Sequence, residues 1–184
     1  ICIPTWNGER DLARLLPALA RQHVAGECEI VAIDSSSTDG TRALLAQAGA
    51  CVETIQQREF GHARTRNALA RLARGDLIVY LSQDCEPRDA DTLATLVGAL
   101  DDARTAGAFA RLLPRPDDDP LTARTVLDHP DAGEASWVGE PGAADVRFND
   151  VASAIRRSVL LEIPFPDVAS RERIWRGVMP RRSM

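Results

Sequence analysis

The stretch GDLIVYLSQD, residues 75–84, decides the fold class. Its centre, residues 77–81, is uninterruptedly apolar, which is typical of a strand covered by helices on both faces of a parallel sheet. The strand ends on polar residues and on the carboxylate of Asp84. Because ligands of open α/β sheets bind outside the carboxyl ends of the strands, Asp84 is predicted to lie at a ligand-binding edge.

The segment before this strand, FGHARTRN at residues 60–67, predicts a short helix that carries an Arg-Asn pair. We expect the helix to cover residues 63–73, with Leu69 and Leu72 directed inward. Arg66 then lies near the same rim of the sheet as the strand end. A guanidinium group offers planar contact through several donors, so a negatively charged ligand together with a cation would suit this rim.

On both sides of this core, segments with the apolar pattern of a strand alternate with segments that have the apolar period of a helix. Strands are predicted at residues 1–5, 29–34, 50–55 and 106–112, and helices at residues 9–22, 42–48 and 93–100. This alternation predicts an α/β fold with a mainly parallel, mixed sheet, helices on both faces and a Rossmann-like nucleotide-binding half.

The second half of the sequence is less regular. From Pro114 to Val146 the periodicity fades and Pro, Asp and Gly become frequent, which predicts a long functional or mobile loop. Order returns at residues 148–157, and a last helix is predicted over residues 170–178. The first strand begins abruptly at Ile1, and the sequence stops soon after the last predicted helix. We therefore expect the chain to be truncated at both ends.

Composition excludes several classes of protein. The 184 residues are 45% apolar and 27% charged, which is ordinary for a soluble domain with one core. The net charge of −5, without a basic tail, argues against a nucleic-acid partner. No apolar run approaches the roughly 20 residues of a membrane span, and the first residues do not form a signal peptide. We therefore expect a cytoplasmic protein.

The four cysteines predict no metal site and no disulfide framework. Cys2, Cys28, Cys51 and Cys85 form no CxxC pair, and three of them lie within or beside apolar strand segments. Buried, reduced thiols are the expected state.

Two loops after predicted strands carry candidate ligand contacts. Glu9 follows the first strand, and its carboxylate suits a base or ribose donor, although a plain turn with an acidic helix start remains an alternative. Asp34 ends the second strand, where a carboxylate can accept from a nucleobase imide or a ribose hydroxyl. For Asp39, a helix cap is the preferred interpretation. No GxGxxG or GKT/GKS loop is present, so NAD-binding and ATP-hydrolase functions lose support.

Asp84 is the candidate metal ligand. A carboxylate at a strand end suits a hard divalent cation that bridges diphosphate oxygens. The alternative is an ordinary turn-forming aspartate.

Four segments in order resemble family 2 glycosyltransferases of the GT-A fold: ICIPTWNG at residues 1–8, AIDSSSTDGT at 32–41, the run from 60 to 84, and ASAIRRSV with IPFPD in 152–167. The GHARTRN and LSQD forms, together with AFARLLPRPDDDPL at residues 108–121, are most similar to the rhamnosyltransferase-like branch. In that branch a Gln-Asp pair replaces the more usual paired aspartates.

The resemblance implies transfer of a sugar, rhamnose by the branch, from a nucleoside diphosphate donor to a hydroxyl acceptor with inversion at the anomeric carbon. The setting it implies is cell-surface polysaccharide or glycolipid synthesis. The implied partners are a nucleotide sugar and a glycan or lipid-linked acceptor, with peripheral contact at the inner membrane face. A single domain, 1–184, would contain a nucleotide-sugar-binding half, 1–112, and an acceptor-side half, 113–184.

The resemblance also implies roles for individual residues. Donor contacts would come from Pro4, Thr5, Glu9, Asp34, Arg66 and Gln83. Asp84 would bind the divalent metal, Mg²⁺ or Mn²⁺.

A general base is needed because the acceptor hydroxyl is a poor nucleophile until it loses its proton. The family supplies an Asp from a Glu-Asp pair just before a Leu/Ile-Trp, and SRERIW at residues 170–175 matches that text. Glu172 then occupies the Asp position and Arg171 the Glu position. Asp167 is the second candidate, and a plain surface glutamate remains an alternative for Glu172.

Two other functions are compatible with parts of the sequence. A degenerate or truncated nucleotide-sugar-binding domain with little turnover is the main alternative, because the base region departs from the family pattern. A nucleotidyltransferase ranks last, because it usually needs a Gly-rich, basic loop after the first strand, and this sequence has none.

Overall fold

Strands and helices alternate through the first part of the chain in the computed structural model, which describes residues 1–128 and 148–167. The strands are β1 Cys2–Thr5, β2 Val31–Asp34, β3 Cys51–Thr54, β4 Leu77–Leu81, β5 Gly107–Phe109 and β6 Ala152–Arg156. The helices are α1 Glu9–Ala20, α2 Thr41–Gln47, α3 His62–Leu72, α4 Thr92–Gly98, α5 Pro120–Leu127 and α6 Arg157–Glu162. A short 3-10 helix, Gln57–Glu59, precedes α3.

The described strands form one mixed sheet in the order β3-β2-β1-β4-β6-β5. β1 to β4 are parallel to one another, whereas β6 is antiparallel to β4 and to β5. The predicted fold class is therefore confirmed. Thr5 lies beside Asp34 in the register, and Leu81 ends β4, so β1, β2 and β4 all finish at one side of the sheet, which we call the carboxyl edge.

Two apolar clusters cover the two faces of the sheet. Alternate residues of each central strand point to opposite faces, so Val79 and Leu81 belong to one cluster and Ile78 and Tyr80 to the other. One cluster receives the buried leucines of α1, α2 and α4: Leu12, Leu15, Leu16, Leu19, Leu45, Leu93 and Leu96. The other receives Leu69, Ala70 and Leu160 of α3 and α6. Helices on both faces follow directly from this division.

The structure corrects the interpretation of residues 114–146 as a structureless loop. Helix α5 lies inside that range, and its start is well capped: the Asp119 carboxylate accepts hydrogen bonds from the backbone N–H groups of Leu121 and Thr122. Pro120 is the first helical residue, a position that tolerates proline because its missing N–H would have no partner there. Local capping chemistry thus produces a helix where apolar periodicity is weak.

Three smaller predictions are also wrong. β5 covers residues 107–109 and not the full range 106–112. Leu72 is the last residue of α3 and is 41% exposed, because the helix ends there and only Leu69 is fully buried. Cys28 and Cys51 are exposed free thiols, the latter on the edge strand β3, so burial holds fully only for Cys2.

Within the described ranges, no helix has the length and apolar character needed to cross a bilayer.

Candidate functional site

Two loops at the carboxyl edge, residues 6–8 after β1 and residues 35–40 after β2, are joined by reciprocal hydrogen bonds. The Asn7 N–H donates to Ser37 Oγ at 2.8 Å, and the Thr38 N–H donates back to Asn7 Oδ1 at 2.9 Å. Asn7 has a φ of 44°, a left-handed conformation that asparagine tolerates better than most residues. The two loops therefore form one rigid wall.

Glu9 reinforces this wall at the start of α1. Its Oε2 accepts a hydrogen bond from the Gly40 N–H at 2.8 Å. A Cβ on Gly40 would lie 2.6 Å from the Glu9 carboxyl carbon, so only glycine permits this approach. Glu9 thus ties α1 to the loop after β2, and its contact with a base or ribose stays a prediction.

Asp39 connects the starts of α1 and α2 and is not a simple N-cap, which is Gly40. Its Oδ1 accepts from the Thr41 N–H at 3.1 Å and from Thr41 Oγ1 at 2.5 Å, and its Oδ2 accepts from the Glu9 N–H at 3.1 Å. Desolvation works to raise the pKa of Asp39, but these hydrogen bonds outweigh it and hold the pKa below its usual value.

Asp34 is fully buried beneath the wall, at the end of β2. Thr5 Oγ1 donates to its Oδ1 at 3.2 Å, Ser37 Oγ donates to the same oxygen at 2.5 Å, and the Ser37 N–H donates to Oδ2 at 2.9 Å. Both oxygens are therefore engaged by the protein itself. Pro4 lies next to Thr5 in β1, half-buried and opposite Ile33 of β2.

We expect Asp34→Ala to lower the free energy of unfolding by about 1–3 kcal/mol, because buried donors on Thr5 and Ser37 lose a charged acceptor. Urea unfolding measures this loss. Asp101→Ala, at an exposed aspartate, is the matched control and should change stability by less than about 0.5 kcal/mol. Equal effects of the two substitutions would contradict the structural role of Asp34.

Ser35, which the sequence reasoning passed over, lies directly after Asp34. Its side chain is 2% exposed, and its Oγ has no hydrogen-bond partner among the described residues. A buried hydroxyl without a hydrogen-bond partner is unusual, because it has given up its hydrogen bonds to water and this destabilises the folded protein. The only sequence signal was its position at a strand end.

Gln83 forms a two-way clamp between the loop after β4 and the loop after β1. Its Oε1 accepts from the Trp6 N–H at 2.9 Å, and its Nε2 donates to the Trp6 carbonyl at 3.2 Å. The Trp6 residue is 49% exposed at the carboxyl edge. Gln83 therefore orients an exposed aromatic residue, Trp6, which sequence reasoning missed, and its own contact with a donor stays a prediction.

Gly8 makes this clamp possible, which gives a second testable prediction. A Cβ at Gly8 would lie 2.5 Å from Gln83 Oε1, so Gly8→Ala should expel the Gln83 amide and lower the free energy of unfolding by about 1–2 kcal/mol. Gly98→Ala is the matched control, since nothing lies within 4 Å of its Cβ position in α4. It should stabilise the protein by roughly 0.5–1 kcal/mol. Thermal unfolding that shifts in the same direction for both variants would refute the clamp.

Asp84 presents an exposed carboxylate next to Gln83. Arg115 Nη1 donates to its backbone carbonyl at 3.2 Å, and no hydrogen bond or ion pair reaches its carboxylate from the described residues. Burial, aided by the Asp84 charge, raises the pKa of the neighbouring Cys85 thiol to about 11, so Cys85 is a neutral thiol at pH 7 and a poor metal ligand.

No cluster of three or more metal-binding side chains occurs among residues 1–128 and 148–167. A single free carboxylate fits a magnesium-type ion that takes its other ligands from phosphate oxygens and water. The residues present therefore fit the expected metal, provided that a phosphate ligand binds with it.

Arg66 is buried, with 4% of its surface exposed. Its Nε lies 3.1 Å from Asp150 Oδ2, in the segment just before β6. The Tyr80 hydroxyl donates to the Arg66 carbonyl at 2.8 Å, and burial raises the pKa of Tyr80, so that hydroxyl stays neutral. Asp150 carried no sequence signal, because its approach to Arg66 depends on the antiparallel pairing of β6 with β4.

The two candidate bases differ in what the structure describes. Asp167 is exposed, and its Oδ2 lies 3.9 Å from Arg64 Nε on α3. Glu172 lies outside the described residues. The site thus combines the wall, the Gln83 clamp and Asp84 at one edge of the sheet, with α3 packed against β1 and β2.

Comparison with known proteins shows the family and the fold of the chain. The family model described as glycosyl transferase family 2 matches residues 1–159. The chain is 32% identical over 174 residues to the O-antigen chain rhamnosyltransferase RfbN of Salmonella typhimurium, covering 91% of this chain and 55% of that protein. It is 35% identical over 123 residues to the O-antigen chain rhamnosyltransferase WbaN of Salmonella anatum, covering 66% of this chain and 39% of that protein. The chain thus spans about half or less of the length of these relatives.

Solved structures share the fold. The mannosyltransferase PcManGT from Pyrobaculum calidifontis, in complex with GDP-Man and Mn²⁺, superposes with a TM-score of 0.62 at 23% identity, covering 90% of this chain and 46% of that one. TarS 1-349 of S. aureus in complex with UDP-GlcNAc gives a TM-score of 0.60 at 19% identity, covering 90% and 47%.

Proposed function

Because the chain belongs to glycosyl transferase family 2, we propose that it transfers a sugar from a nucleoside diphosphate donor to a hydroxyl acceptor, with inversion at the anomeric carbon. The process is synthesis of a cell-surface polysaccharide or glycolipid, and the sugar is rhamnose, as the names of the two Salmonella relatives suggest. The observation that carries this proposal is the free Asp84 carboxylate beside the hydrogen-bonded wall at the carboxyl edge.

The nucleoside binds against the wall. Trp6 offers an exposed indole for stacking on the base. Asp34 fixes Ser37 of the wall and is itself contacted by Thr5. Glu9 ties α1 to the loop after β2, and Pro4 precedes Thr5 in β1. Direct contact is therefore assigned to the exposed Trp6, and a supporting role to the buried Asp34.

We expect Trp6→Ala to weaken nucleoside diphosphate binding by about 1–3 kcal/mol, the contribution of one base stacked on an aromatic ring. Titration calorimetry measures the change. Leu121→Ala is the control, because Leu121 is 78% exposed on α5, outside the wall. Unchanged affinity in a folded Trp6→Ala protein would exclude Trp6 from the site.

The diphosphate binds between Asp84 and the first turn of α3. Mg²⁺ or Mn²⁺ held by Asp84 would neutralise the charge of the leaving diphosphate, and the PcManGT complex contains Mn²⁺ with its nucleotide sugar. Arg66 adds positive charge from a buried position, where a guanidinium interacts more strongly than in water. The ion pair with Asp150 holds the Arg66 guanidinium in a fixed position.

Transfer also requires that the acceptor hydroxyl is positioned against the anomeric carbon and that one general base accepts its proton. The acceptor oxygen attacks the anomeric carbon, the bond from that carbon to the diphosphate oxygen breaks, and the hydroxyl proton passes to Glu172 or, as second candidate, Asp167. Residues 1–112 hold the donor and residues 113–184 face the acceptor within one domain. The protein acts in the cytoplasm, at the membrane surface when the acceptor is lipid-linked.

Donor binding and transfer are tested separately. A thermal-shift series with UDP, dTDP and GDP, with and without Mn²⁺, should raise the Tm for one nucleotide and more so with metal, since a ligand that binds only the native state must stabilise it. A nucleoside diphosphate-rhamnose with a glycan acceptor then tests turnover. Binding without any transfer would favour the alternative, a degenerate or truncated nucleotide-sugar-binding domain; absence of binding would refute both.

A further inference from the structure

We propose that Asn67 is a positioning residue for the acceptor side of the site, because its side-chain amide fixes the segment 163–167 against α3. The inference rests on the proposed function, since it assigns that segment to the acceptor side. Asn67 follows Arg66 directly on α3, so the residue beside the diphosphate contact would also set the place of the chain that leads to a candidate base.

The contact is a two-way clamp across 98 residues of sequence. Asn67 Nδ2 donates to the Phe165 carbonyl at 2.8 Å, and the Phe165 N–H donates to Asn67 Oδ1 at 2.9 Å. A side-chain amide carries a donor and an acceptor on two neighbouring atoms, so it can pair with the N–H and the carbonyl of one residue at the same time. Both directions are used, so the clamp fixes the orientation of the segment as well as its distance from α3.

Further contacts link the clamp to Arg66 and β4. The Phe165 ring packs edge-to-face on the Tyr80 ring, with centroids 5.8 Å apart, and the Tyr80 hydroxyl donates to the Arg66 carbonyl. Phe165 and Tyr80 are both buried. Asn67, Arg66, Tyr80 and Phe165 thus form a closed ring of contacts, and displacement of Phe165 would be transmitted to the segment that follows it.

An ion pair between this segment and α3 is weak. Arg64 Nε lies 3.9 Å from Asp167 Oδ2, and the side chains are 57% and 68% exposed. Exposed ion pairs at this distance contribute little. The location of Asp167 therefore depends mainly on the Asn67 amide and the buried Phe165 ring.

Steady-state kinetics of the full chain test the assignment. We expect Asn67→Ala and Asn67→Asp to lower kcat about tenfold to a hundredfold, because small displacements of reacting groups cost that much. The donor KM and the Tm shift caused by nucleoside diphosphate with Mn²⁺ should stay within about twofold of wild type, since the donor contacts are intact. Asn67→Asp preserves side-chain volume, so its defect would come from the lost donor and not from a cavity.

Gln22 supplies a matched control. Its amide forms the same kind of two-way clamp, donating to the Asp89 carbonyl at 2.6 Å and accepting from the Leu93 N–H at 3.0 Å. Gln22→Ala should lower the unfolding temperature without changing kcat. A merely structural role of Asn67 would give the same result for both residues.

Each outcome of these measurements supports or overturns the positioning role of Asn67. Normal kcat in folded Asn67 variants, or equal losses of kcat and donor affinity, overturns the positioning role while leaving the proposed function intact. Failure of both Asn67 variants to fold, with Gln22→Ala folded, makes the clamp structural and also overturns it. A wild-type chain that binds donor but transfers nothing refutes the transferase proposal itself, and this inference falls with it.

Discussion

Asp84→Asn should abolish the effect of Mn²⁺ or Mg²⁺ on nucleoside diphosphate binding and lower sugar transfer by about a hundredfold or more, because metal stabilisation of the leaving group contributes several kcal/mol. The substitution removes one charge and keeps the size of the side chain. Among the described residues no hydrogen bond or ion pair reaches the Asp84 carboxylate, so the unfolding temperature without ligand should change little. Calorimetric titration with and without metal measures the effect.

Asp101→Asn controls for the charge change, because Asp101 is exposed near the end of α4 and away from the β4 loop. It should leave both binding and transfer unchanged. Wild-type protein that binds donor equally well in EDTA would show that Asp84 has no metal-binding role here, whatever the behaviour of the variant.

Glu172→Gln should have the largest effect on turnover: we expect transfer to fall by about 10²–10⁴-fold with donor affinity preserved, which is the signature of a lost general base. The expectation comes from the position of Glu172 in SRERIW, since this residue lies outside the described structure. Comparison of kcat with the nucleotide dissociation constant separates the two effects.

Asp167→Asn distinguishes the second candidate, because Asp167 lies at the end of the segment held by Asn67. If Asp167→Asn abolishes transfer and Glu172→Gln does not, the base assignment must be reversed. Glu172→Asp adds a further check, since it shortens the side chain by about one C–C bond and restores the residue type of the family pattern. Faster transfer by this variant would show that arm length limits the chain as it stands.

The sequence predicted which edge of the sheet carries Asp34 and Asp84, because local chemistry and topology coincide there. Asp34 and Asp84 come at or after the ends of apolar strands, and parallel strands end at one edge, so their place at the same edge followed from the order of elements. The same reasoning did not foresee that Thr5 and Ser37 would hydrogen-bond to Asp34, because an exposure of 0% arises only when two loops close over the residue. Exposure, and hence availability to a ligand, depends on packing.

By itself, the sequence determined the α/β class, the family and most element positions, because apolar period and strand-end carboxylates are local properties read along one chain. Only the tertiary structure decided which residues face a ligand and which face each other. Gln83 with Trp6, Arg66 with Asp150, and Asn67 with Phe165 are separated by 77, 84 and 98 positions. Such pairings form because the antiparallel return of β6 and the crossover helices bring distant backbone groups together, where unsatisfied donors and acceptors must find partners.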